Sequence, residues 1–228
     1  MFDAVIFDWD GTLADTKHAV ITSFQRVLEQ IGCNVSNEFI ERRIGIGTKN
    51  TLKDALKATN IPFDEELIEE LSEKKIQTQL TLIETVGLFE GAIELLNALY
   101  GKMKIALASM GNRKIVDNLL GKNKLRKYFN IVVTADEIIH PKPDPEIFLK
   151  CATKLDCQPQ KCAVIEDSVF GVRAAKKARM KCVAISSGAY SRKELKEEKP
   201  DLIVNSIEEK EKILNFMFCK RTSTSNSQ

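Results

Sequence analysis

The 228-residue sequence has no block of basic residues, no apolar run long enough for a membrane helix, and no CxxC pair. Its formal net charge is only +2, with 34 basic and 32 acidic residues spread along the chain. This distribution argues against binding to nucleic acid or to an acidic membrane surface. A membrane helix needs roughly 18 consecutive apolar residues, which the chain does not contain. We therefore expect neither nucleic acid nor membrane among its partners.

The sequence also lacks a basic segment followed by an apolar segment near its start, which is the pattern of a secretory leader. Four of its six cysteines fall in segments that resemble strands or helices, so we interpret all six as reduced thiols. These features predict a cytoplasmic protein. The six cysteines are Cys33, Cys151, Cys157, Cys162, Cys182 and Cys219.

What the sequence does contain is an alternation of short β-rich runs with amphipathic helical segments. This alternation is typical of a parallel sheet with helices on both faces, a Rossmann-like α/β fold. The six runs are "AVIFD", "KIALAS", "NIVVTAD", "CAVIED", "CVAIS" and "DLIVN".

One interval, from about Thr16 to Thr85, shows only helical periodicity, which predicts an all-helical insertion after the first strand. We expect a discontinuous core domain at residues 1–15 and 86–218, a helical cap domain at 16–85, and a disordered tail at 219–228. Residues 15 and 87 are the predicted flexible junctions. Just beyond the insertion, the spacing predicts a helix with Ile93, Leu96 and Leu99 on one face.

Polar residues follow several of the predicted strands, at the sheet edge where ligands bind in folds of this type. Asp8 and Asp10 follow the first strand, Ser109 ends the second, and Glu166 and Asp167 follow the strand "CAVI". Lys142 lies in "HPKPDP", where two prolines restrict the loop. Carboxylates held this close repel one another unless a cation lies between them, and oxygen ligands favour Mg²⁺. The sequence therefore predicts a magnesium and phosphate site.

The motifs "DWDGT", "LAS", "KPDP" and "IEDS" resemble, in this order, the four signature motifs of the haloacid dehalogenase-like hydrolase superfamily. The helical insertion is similar to the cap of the branch that contains phosphoglycolate phosphatases and β-phosphoglucomutases. The resemblance implies phosphoryl transfer through an aspartyl-phosphate, with Mg²⁺ as cofactor and a small phosphorylated metabolite as substrate.

Carried over by the same resemblance, Asp8 is the nucleophile and a metal ligand. Asp10 is the general acid and base, and its backbone carbonyl also ligates the metal. Lys142 binds the phosphate, and Asp167, with the help of Glu166, holds the metal. The other expected phosphate-binding residues are Ser109, Met110, Gly111, Gly11 and Thr12. Ser168 is expected to be mainly a helix cap.

In the insertion, "RRIGIGTKN" contains a GxG and three cations. A turn with solvated charges is the simpler interpretation, but Arg43 or Lys49 is a candidate for contact with a second anionic group of the substrate.

A sugar-phosphate mutase is the nearest alternative to a phosphatase, and a non-catalytic protein on the same fold is a further one. Thr12 and Val20 differ from the residues common in β-phosphoglucomutases. The sequence names neither the substrate nor the oligomeric state, monomer or homodimer.

Overall fold

The computed structural model of the protein describes residues 1–218, so the predicted tail at 219–228 lies outside the described residues. Six strands form one parallel sheet in the order β5-β4-β1-β6-β7-β8, and two very short strands, β2 and β3, pair antiparallel. The strands are β1 (Ala4–Phe7), β2 (Ala14–Asp15), β3 (Gly87–Leu88), β4 (Lys104–Ser109), β5 (Ile131–Thr134), β6 (Cys162–Glu166), β7 (Lys181–Ile185) and β8 (Leu202–Val204). The six-stranded sheet agrees with the six runs predicted from the sequence.

Strand β1 lies at the centre of the sheet, between β4 and β6. All four of its side chains are fully buried, as expected of a parallel strand that is covered on both faces. Phe7, its last residue, is in register with Leu107 of β4 and Ile165 of β6. The residues that follow these three strands are therefore neighbours at one edge of the sheet.

Between β2 and β3 the chain is helical, as the sequence predicts. The four helices are α1 (Lys17–Glu29), α2 (Asn37–Glu41), α3 (Thr48–Ala58) and α4 (Glu65–Leu80). They share an apolar cluster that is separate from the clusters on the two faces of the sheet. Phe24, Val27 and Leu28 of α1 pack in this cluster with Leu52 and Leu56 of α3.

The remaining helices cover both faces of the sheet. On the face of Val5 and Phe7 lie α5 (Ala92–Leu99), α6 (Arg113–Lys122) and α10 (Lys210–Phe218). On the face of Ala4 and Ile6 lie α7 (Glu146–Lys154), α8 (Val169–Lys177) and α9 (Arg192–Glu197). This arrangement confirms the predicted fold class.

The predicted apolar face of α5 is wrong at one position. Leu96 and Leu99 are fully buried, but Ile93 is 42% exposed, and Ala92 and Leu95 occupy the buried face with the two leucines. The buried face of this two-turn helix follows an i, i+3, i+4 pattern from Ala92, which places the intervening Ile93 toward solvent.

The two passages between the sheet and the helical insertion lie side by side. Asp15 of β2 pairs with Gly87 of β3, a contact that the sequence analysis does not predict because two-residue strands carry no periodic signal. Lys122 of α6 donates hydrogen bonds of 2.9–3.1 Å to the carbonyls of Ile83, Glu84 and Val86. The returning passage is therefore held by the core helix α6.

In the part of the chain that the structure describes, no helix combines the length and apolarity required to cross a membrane. Its five cysteines are free thiols, in agreement with the prediction, and Cys219 lies outside this part.

Candidate active site

The residues predicted to carry chemistry converge at the carboxyl ends of β1, β4 and β6. Asp8 directly follows β1 and extends its ladder, since its N–H donates to the Ile165 carbonyl at 3.0 Å. Ser109 is the last residue of β4, and Glu166 is the last residue of β6. Asp8, Ser109 and Glu166 are at most 3% exposed. The fold therefore brings together, in a buried position, residues that are more than 50 positions apart in the sequence.

Lys142 connects two of these carboxylates. Its Nζ donates to Asp8 Oδ1 at 2.5 Å and to Glu166 Oε1 at 2.7 Å, and the side chain is fully buried. Burial by itself lowers the pKa of Lys142, but the two carboxylates outweigh that effect and hold it above its usual value. Lys142 is therefore a permanent cation in contact with Asp8.

Glu166 has protein donors on both carboxylate oxygens. Oε1 accepts from Lys142, while Oε2 accepts from the Ser168 N–H at 2.7 Å and from the Ser168 hydroxyl at 2.9 Å. A Cβ at Gly171 would lie 1.7 Å from Oε1, so only glycine leaves room for this carboxylate. The structure thus gives Glu166 the contacts of a residue that positions Lys142. Ser168 also caps α8 by accepting from the Gly171 N–H, which confirms its predicted role.

Asp167 lies against the turn that follows Asp10. Thr12, predicted to bind phosphate, is buried and donates its hydroxyl to Asp167 Oδ1 at 3.3 Å. A Cβ at Gly11 would lie 2.1 Å from Asp167 Oδ2, and one at Gly188 would lie 1.9 Å from the same atom. Gly11 has φ +81°, so both its conformation and this close approach require glycine. In this structure Gly11 and Thr12 shape the surroundings of Asp167.

Asp10 lies at the boundary between the sheet and the helical insertion. Its Oδ1 accepts from the Thr16 hydroxyl at 2.6 Å, and its Oδ2 accepts from the Ser109 hydroxyl at 3.4 Å. Ser109 Oγ also accepts from the Gly111 N–H at 3.0 Å, which fixes the turn through Met110. Asp10 is thus held near Ser109, on the side of the site that faces the insertion.

The donor set fits a hard divalent cation. Burial raises the pKa of Asp8 well above its usual value, although Lys142 acts in the opposite direction. Burial also raises the pKa of Asp167, and repulsion from the Glu166 and Asp8 carboxylates raises it further. A cation between Asp8 and Asp167 would relieve this repulsion. No group of three or more histidine, cysteine or acidic side chains within residues 1–218 forms a ready metal cluster. Mg²⁺ requires fewer protein ligands, because it commonly takes one or two carboxylates and retains water.

The loop at residues 42–50 reaches the same site. A cavity of about 40 Å³ is bounded by Arg43, Gly45 and Gly47 of this loop together with Asp10 and Ser109. The two glycines have positive φ, and a Cβ at Gly47 would meet Met110 Cε at 3.0 Å.

Of the two loop cations predicted to contact the substrate, only Arg43 lines this cavity. Its Nε donates to Asp54 at 3.0 Å, and its guanidinium lies 3.5 Å above the Phe39 ring centroid. Lys49 lines a different cleft and forms an exposed ion pair with Glu69. Lys49 therefore lies outside the cavity that Asp10 and Ser109 line.

Two residues that the sequence analysis did not select also line the 40 Å³ cavity. Lys75 of α4 is 5% exposed, and Trp9 is 1% exposed. The acidic run "EELIEELSEKK" ends at Lys75, so composition does not distinguish this lysine from the exposed Lys74 next to it. The only sequence signal is helical register, since Lys75 falls on the same face as the buried Ile68 and Leu71.

The comparisons with known proteins agree with this geometry. The family model described as haloacid dehalogenase-like hydrolase matches residues 5–185. A phosphorylated carbohydrates phosphatase from Thermotoga maritima is 34% identical over 181 residues, which cover 77% of this chain and 81% of that protein. A β-phosphoglucomutase from Bacillus subtilis is 31% identical over 193 residues, which cover 81% of this chain and 84% of that protein.

Among solved structures, a hydrolase from Pseudomonas syringae superposes with a TM-score of 0.87 at 28% identity, covering 94% of this chain and 99% of that one. The family match spans all four motifs that carry the buried carboxylates and Lys142. The chain therefore belongs to the haloacid dehalogenase-like hydrolases, and it is an enzyme of the phosphoric monoester hydrolase class.

Proposed function

We propose that this enzyme hydrolyses a small phosphorylated metabolite through an aspartyl-phosphate formed on Asp8, with Mg²⁺ as cofactor. The observation that carries the proposal is the buried Asp8–Lys142–Glu166 chain of hydrogen bonds, with Asp10 and Asp167 beside it. A carboxylate is a weak nucleophile toward a phosphate dianion unless that charge is neutralised. Lys142 supplies one fixed positive charge at Asp8.

In the first step, an Asp8 oxygen forms a bond to phosphorus and the ester's P–O bond breaks. Asp10 donates a proton to the departing alkoxide, which leaves as the neutral alcohol. In the second step, Asp10 takes a proton from water as that water attacks the phosphorus of the aspartyl-phosphate, and Asp8 and phosphate are released. Lys142 and the Ser109 hydroxyl hold the phosphoryl oxygens in both steps.

The residues that would hold Mg²⁺ are Asp8 and Asp167 through their carboxylates and Asp10 through its backbone carbonyl. When bound, the ion would supply the positive charge that these buried carboxylates and the phosphate oxygens require. Glu166 contributes indirectly, because it fixes Lys142, and Thr12 and Gly11 fix Asp167.

We further propose that residues 16–85 act as a cap domain over a core formed by residues 1–15 and 86–218. The separate apolar cluster of α1–α4 and the paired passages at Asp15 and Gly87 support this division. A lid that closes over the site would exclude water until the alcohol has left.

A sugar-phosphate mutase is the second candidate, favoured by the similarity to β-phosphoglucomutase. The two reactions differ only in the acceptor of the phosphoryl group, which is water in hydrolysis and a sugar hydroxyl in the mutase. Val20 lines the cavity beside Asp10 with an apolar side chain, and His18 is exposed on a different surface. Because Thr12 and Val20 differ from the residues common in β-phosphoglucomutases, we rank hydrolysis first.

The test is a panel of phosphorylated metabolites incubated with the full chain and Mg²⁺, in which phosphate release and isomer formation are both measured by NMR. We expect phosphate without isomer, and no turnover after chelation until Mg²⁺ is restored. An acid quench with a ³²P-labelled ester should leave label on the protein that hydroxylamine removes, as for an acyl phosphate, and Asp8→Asn should carry none. Isomer as the main product would favour the mutase, and full turnover after chelation would refute the metal requirement.

A further inference from the structure

The turn that leads into β6 carries a cysteine on each side. The segment "CQPQKC" runs from Cys157, which follows α7, to Cys162, the first residue of β6. Within it, the Lys161 N–H donates to the Gln158 carbonyl at 2.9 Å and closes a turn. A hydrogen bond of this kind draws the two ends of a turn together, so the residues that flank the turn become neighbours. The fold therefore brings Cys157 and Cys162 near one another.

The two cysteine side chains share one environment. Cys162 is fully buried in the apolar cluster that contains Ala4 and Ile6, and Cys157, which is partly exposed, packs against the same cluster. Burial raises the pKa of the Cys162 thiol to about 12, and the charge and the hydrogen bond of the neighbouring Cys157 side chain act in the same direction. The Cys157 thiol is thus within hydrogen-bonding reach of the Cys162 thiol.

A lysine lies beside the more exposed of the two thiols. Cys157 Sγ donates to the Leu155 carbonyl at 3.5 Å, and Lys104 Nζ donates to the same carbonyl at 2.5 Å. Thiols that react readily are partly exposed and have a positive charge nearby. Cys157 has both properties. Cys162 is buried next to it, where it can react with a modified Cys157 but not with a reagent in solution.

The other cysteines within residues 1–218 lack this combination. Cys33, Cys151 and Cys182 are fully buried, and the Cys33 sulfur lies 3.3 Å from the Thr59 hydroxyl oxygen. Burial raises the pKa of both Cys151 and Cys182 above the usual thiol value, so these two thiols stay protonated. Cys157 is the one cysteine of the described residues that is not buried, and an oxidant in solution reaches it without unfolding the chain.

We propose that Cys157 and Cys162 form a redox-active dithiol, which hydrogen peroxide converts into an intramolecular disulfide. The Cys157 sulfur attacks one peroxide oxygen and the O–O bond breaks, which gives a sulfenic acid on Cys157 and one molecule of water. The Cys162 thiol then loses its proton and attacks the Cys157 sulfur, and the sulfenic oxygen leaves as a second water. The two sulfurs lose two electrons in all, and the peroxide is reduced to two waters.

The pair lies away from the residues of the candidate active site. Cys162 is the first residue of β6 and Glu166 is its last, so the strand separates them by roughly 13 Å at about 3.3 Å per residue. Without a neighbouring thiol, a sulfenic acid is oxidised further to a sulfinic acid, which ordinary thiols do not reduce. Cys162 thus makes the oxidation of Cys157 reversible. This role goes beyond the proposed function and does not depend on it.

The test follows the covalent state of the two cysteines. Trypsin cuts between them, which gives peptide 155–161 with Cys157 and peptide 162–173 with Cys162. The folded full chain is treated with hydrogen peroxide near neutral pH, the remaining thiols are alkylated, and the digest is analysed by mass spectrometry. A disulfide links the two peptides, and dithiothreitol separates them. Cys157→Ala, Cys162→Ala and the control Cys33→Ala are treated in the same way.

We expect the linked peptides to be the main oxidised product of the wild type and of Cys33→Ala. In Cys162→Ala, sulfinic acid on Cys157 should rise at least about tenfold above the wild-type amount, because no second thiol captures the sulfenic acid. In Cys157→Ala, the buried Cys162 should stay reduced. Sulfinic acid on Cys157 of the wild type without linked peptides would overturn the proposal. An unmodified Cys157 after the same treatment, or linked peptides that form only after unfolding in urea, would overturn it as well.

Discussion

The protein buries two lysines near the aspartates that follow β1, one from the sheet domain and one from the helical insertion, and their surroundings differ. Lys142 contacts two carboxylates at 2.5 and 2.7 Å, whereas Lys75 contacts an amide oxygen and an aromatic ring. The carboxylates raise the pKa of Lys142, while burial lowers the pKa of Lys75 to about 8. A lysine side chain is therefore held by two ion pairs in one place and has no ionic partner in the other.

This contrast indicates how the site divides its tasks. The core holds its charges in place before the substrate arrives, which suits electrostatic stabilisation of a reaction common to many esters. The insertion instead supplies Lys75, a buried cation whose close partners are neutral, which suits recognition, because such a charge discriminates among ligands by the charges that those ligands bring.

Replacing the nucleophile should have the largest effect. Asp8→Asn keeps the size of the side chain but removes the attacking oxygen, so we expect kcat to fall at least about 10⁴-fold. Steady-state phosphate release measures this, with the exposed Asp3→Asn as the matched control. Residual turnover above a thousandth of wild type, in protein shown by mass spectrometry to be free of deamidation, would refute the role of Asp8.

The effect of replacing Asp10, the proposed general acid, should depend on the leaving group of the ester. Asp10→Asn should slow the hydrolysis of alkyl phosphates by about 10²–10⁴-fold. With p-nitrophenyl phosphate it should slow formation of the aspartyl-phosphate much less, because the p-nitrophenolate leaving group needs no proton. Rapid-quench detection of the phosphorylated enzyme separates the two steps. Asp15→Asn, an exposed neighbour, is the control. Equal losses for both esters would contradict the assignment.

The two lysines should affect folding stability in opposite directions. Lys142→Met leaves Asp8 and Glu166 buried without their cation and should lower the free energy of unfolding by about 3–5 kcal/mol. Lys75→Met removes an unpaired buried charge and should raise it, by on the order of 3 kcal/mol at most. Urea unfolding at pH 7 measures both. A loss of stability in Lys75→Met would mean that Lys75 stabilises the fold, and it would contradict the proposed difference between Lys75 and Lys142.

The pH dependence of folding stability should also differ between the two lysine variants. Between about pH 8 and the usual lysine value of 10.5, the unfolded chain binds a proton at residue 75 that the folded chain has released, so wild-type stability rises with pH. The advantage of Lys75→Met should therefore shrink across this range. The deficit of Lys142→Met should persist, since the raised pKa of Lys142 keeps its contribution complete below about 10.5. If the stability difference from wild type changed with pH in the same way for both variants, the environments assigned to Lys75 and Lys142 would be contradicted.

The smallest effect is expected at the surface of the insertion. Lys49 pairs with Glu69 while both side chains are more than half exposed, so Lys49→Ala should change kcat/KM by less than about twofold for every ester tested. Arg43→Ala, on the wall of the cavity, should change the relative kcat/KM values of different esters more. A larger effect of Lys49→Ala than of Arg43→Ala would show that the substrate extends into the outer cleft.

Much of the fold could be predicted because its signals are local. Each strand is a short apolar run followed by a polar residue, and the helical insertion shows a 3.6-residue period. The two-stranded pair at Asp15 and Gly87 could not be predicted, since two residues give no period. Ile93 was assigned to the wrong face because a two-turn helix leaves the direction of its neighbours undetermined.

The site residues also fall into those that the motifs locate and one whose contacts only the structure shows. The order of the four motifs can be read directly from the sequence, and a parallel sheet brings the ends of its strands together. The sequence could therefore locate Asp8, Asp10, Ser109, Lys142 and Asp167. Glu166 could be located but not interpreted, because only the structure shows both of its oxygens occupied by Lys142 and Ser168.

The sequence by itself determined the family and the fold class, since motif order and the alternation of strands and helices are properties of the chain. Only the tertiary structure decided which lysine of α4 is buried and lines the cavity that Asp10 also lines. Lys74 and Lys75 are chemically identical neighbours, and the packing of α4 against α1 and the core exposes one and buries the other. The packing of Lys75 against Phe24 of α1 and the lack of an acceptor for Trp9 arise from contacts between segments that are distant in the sequence.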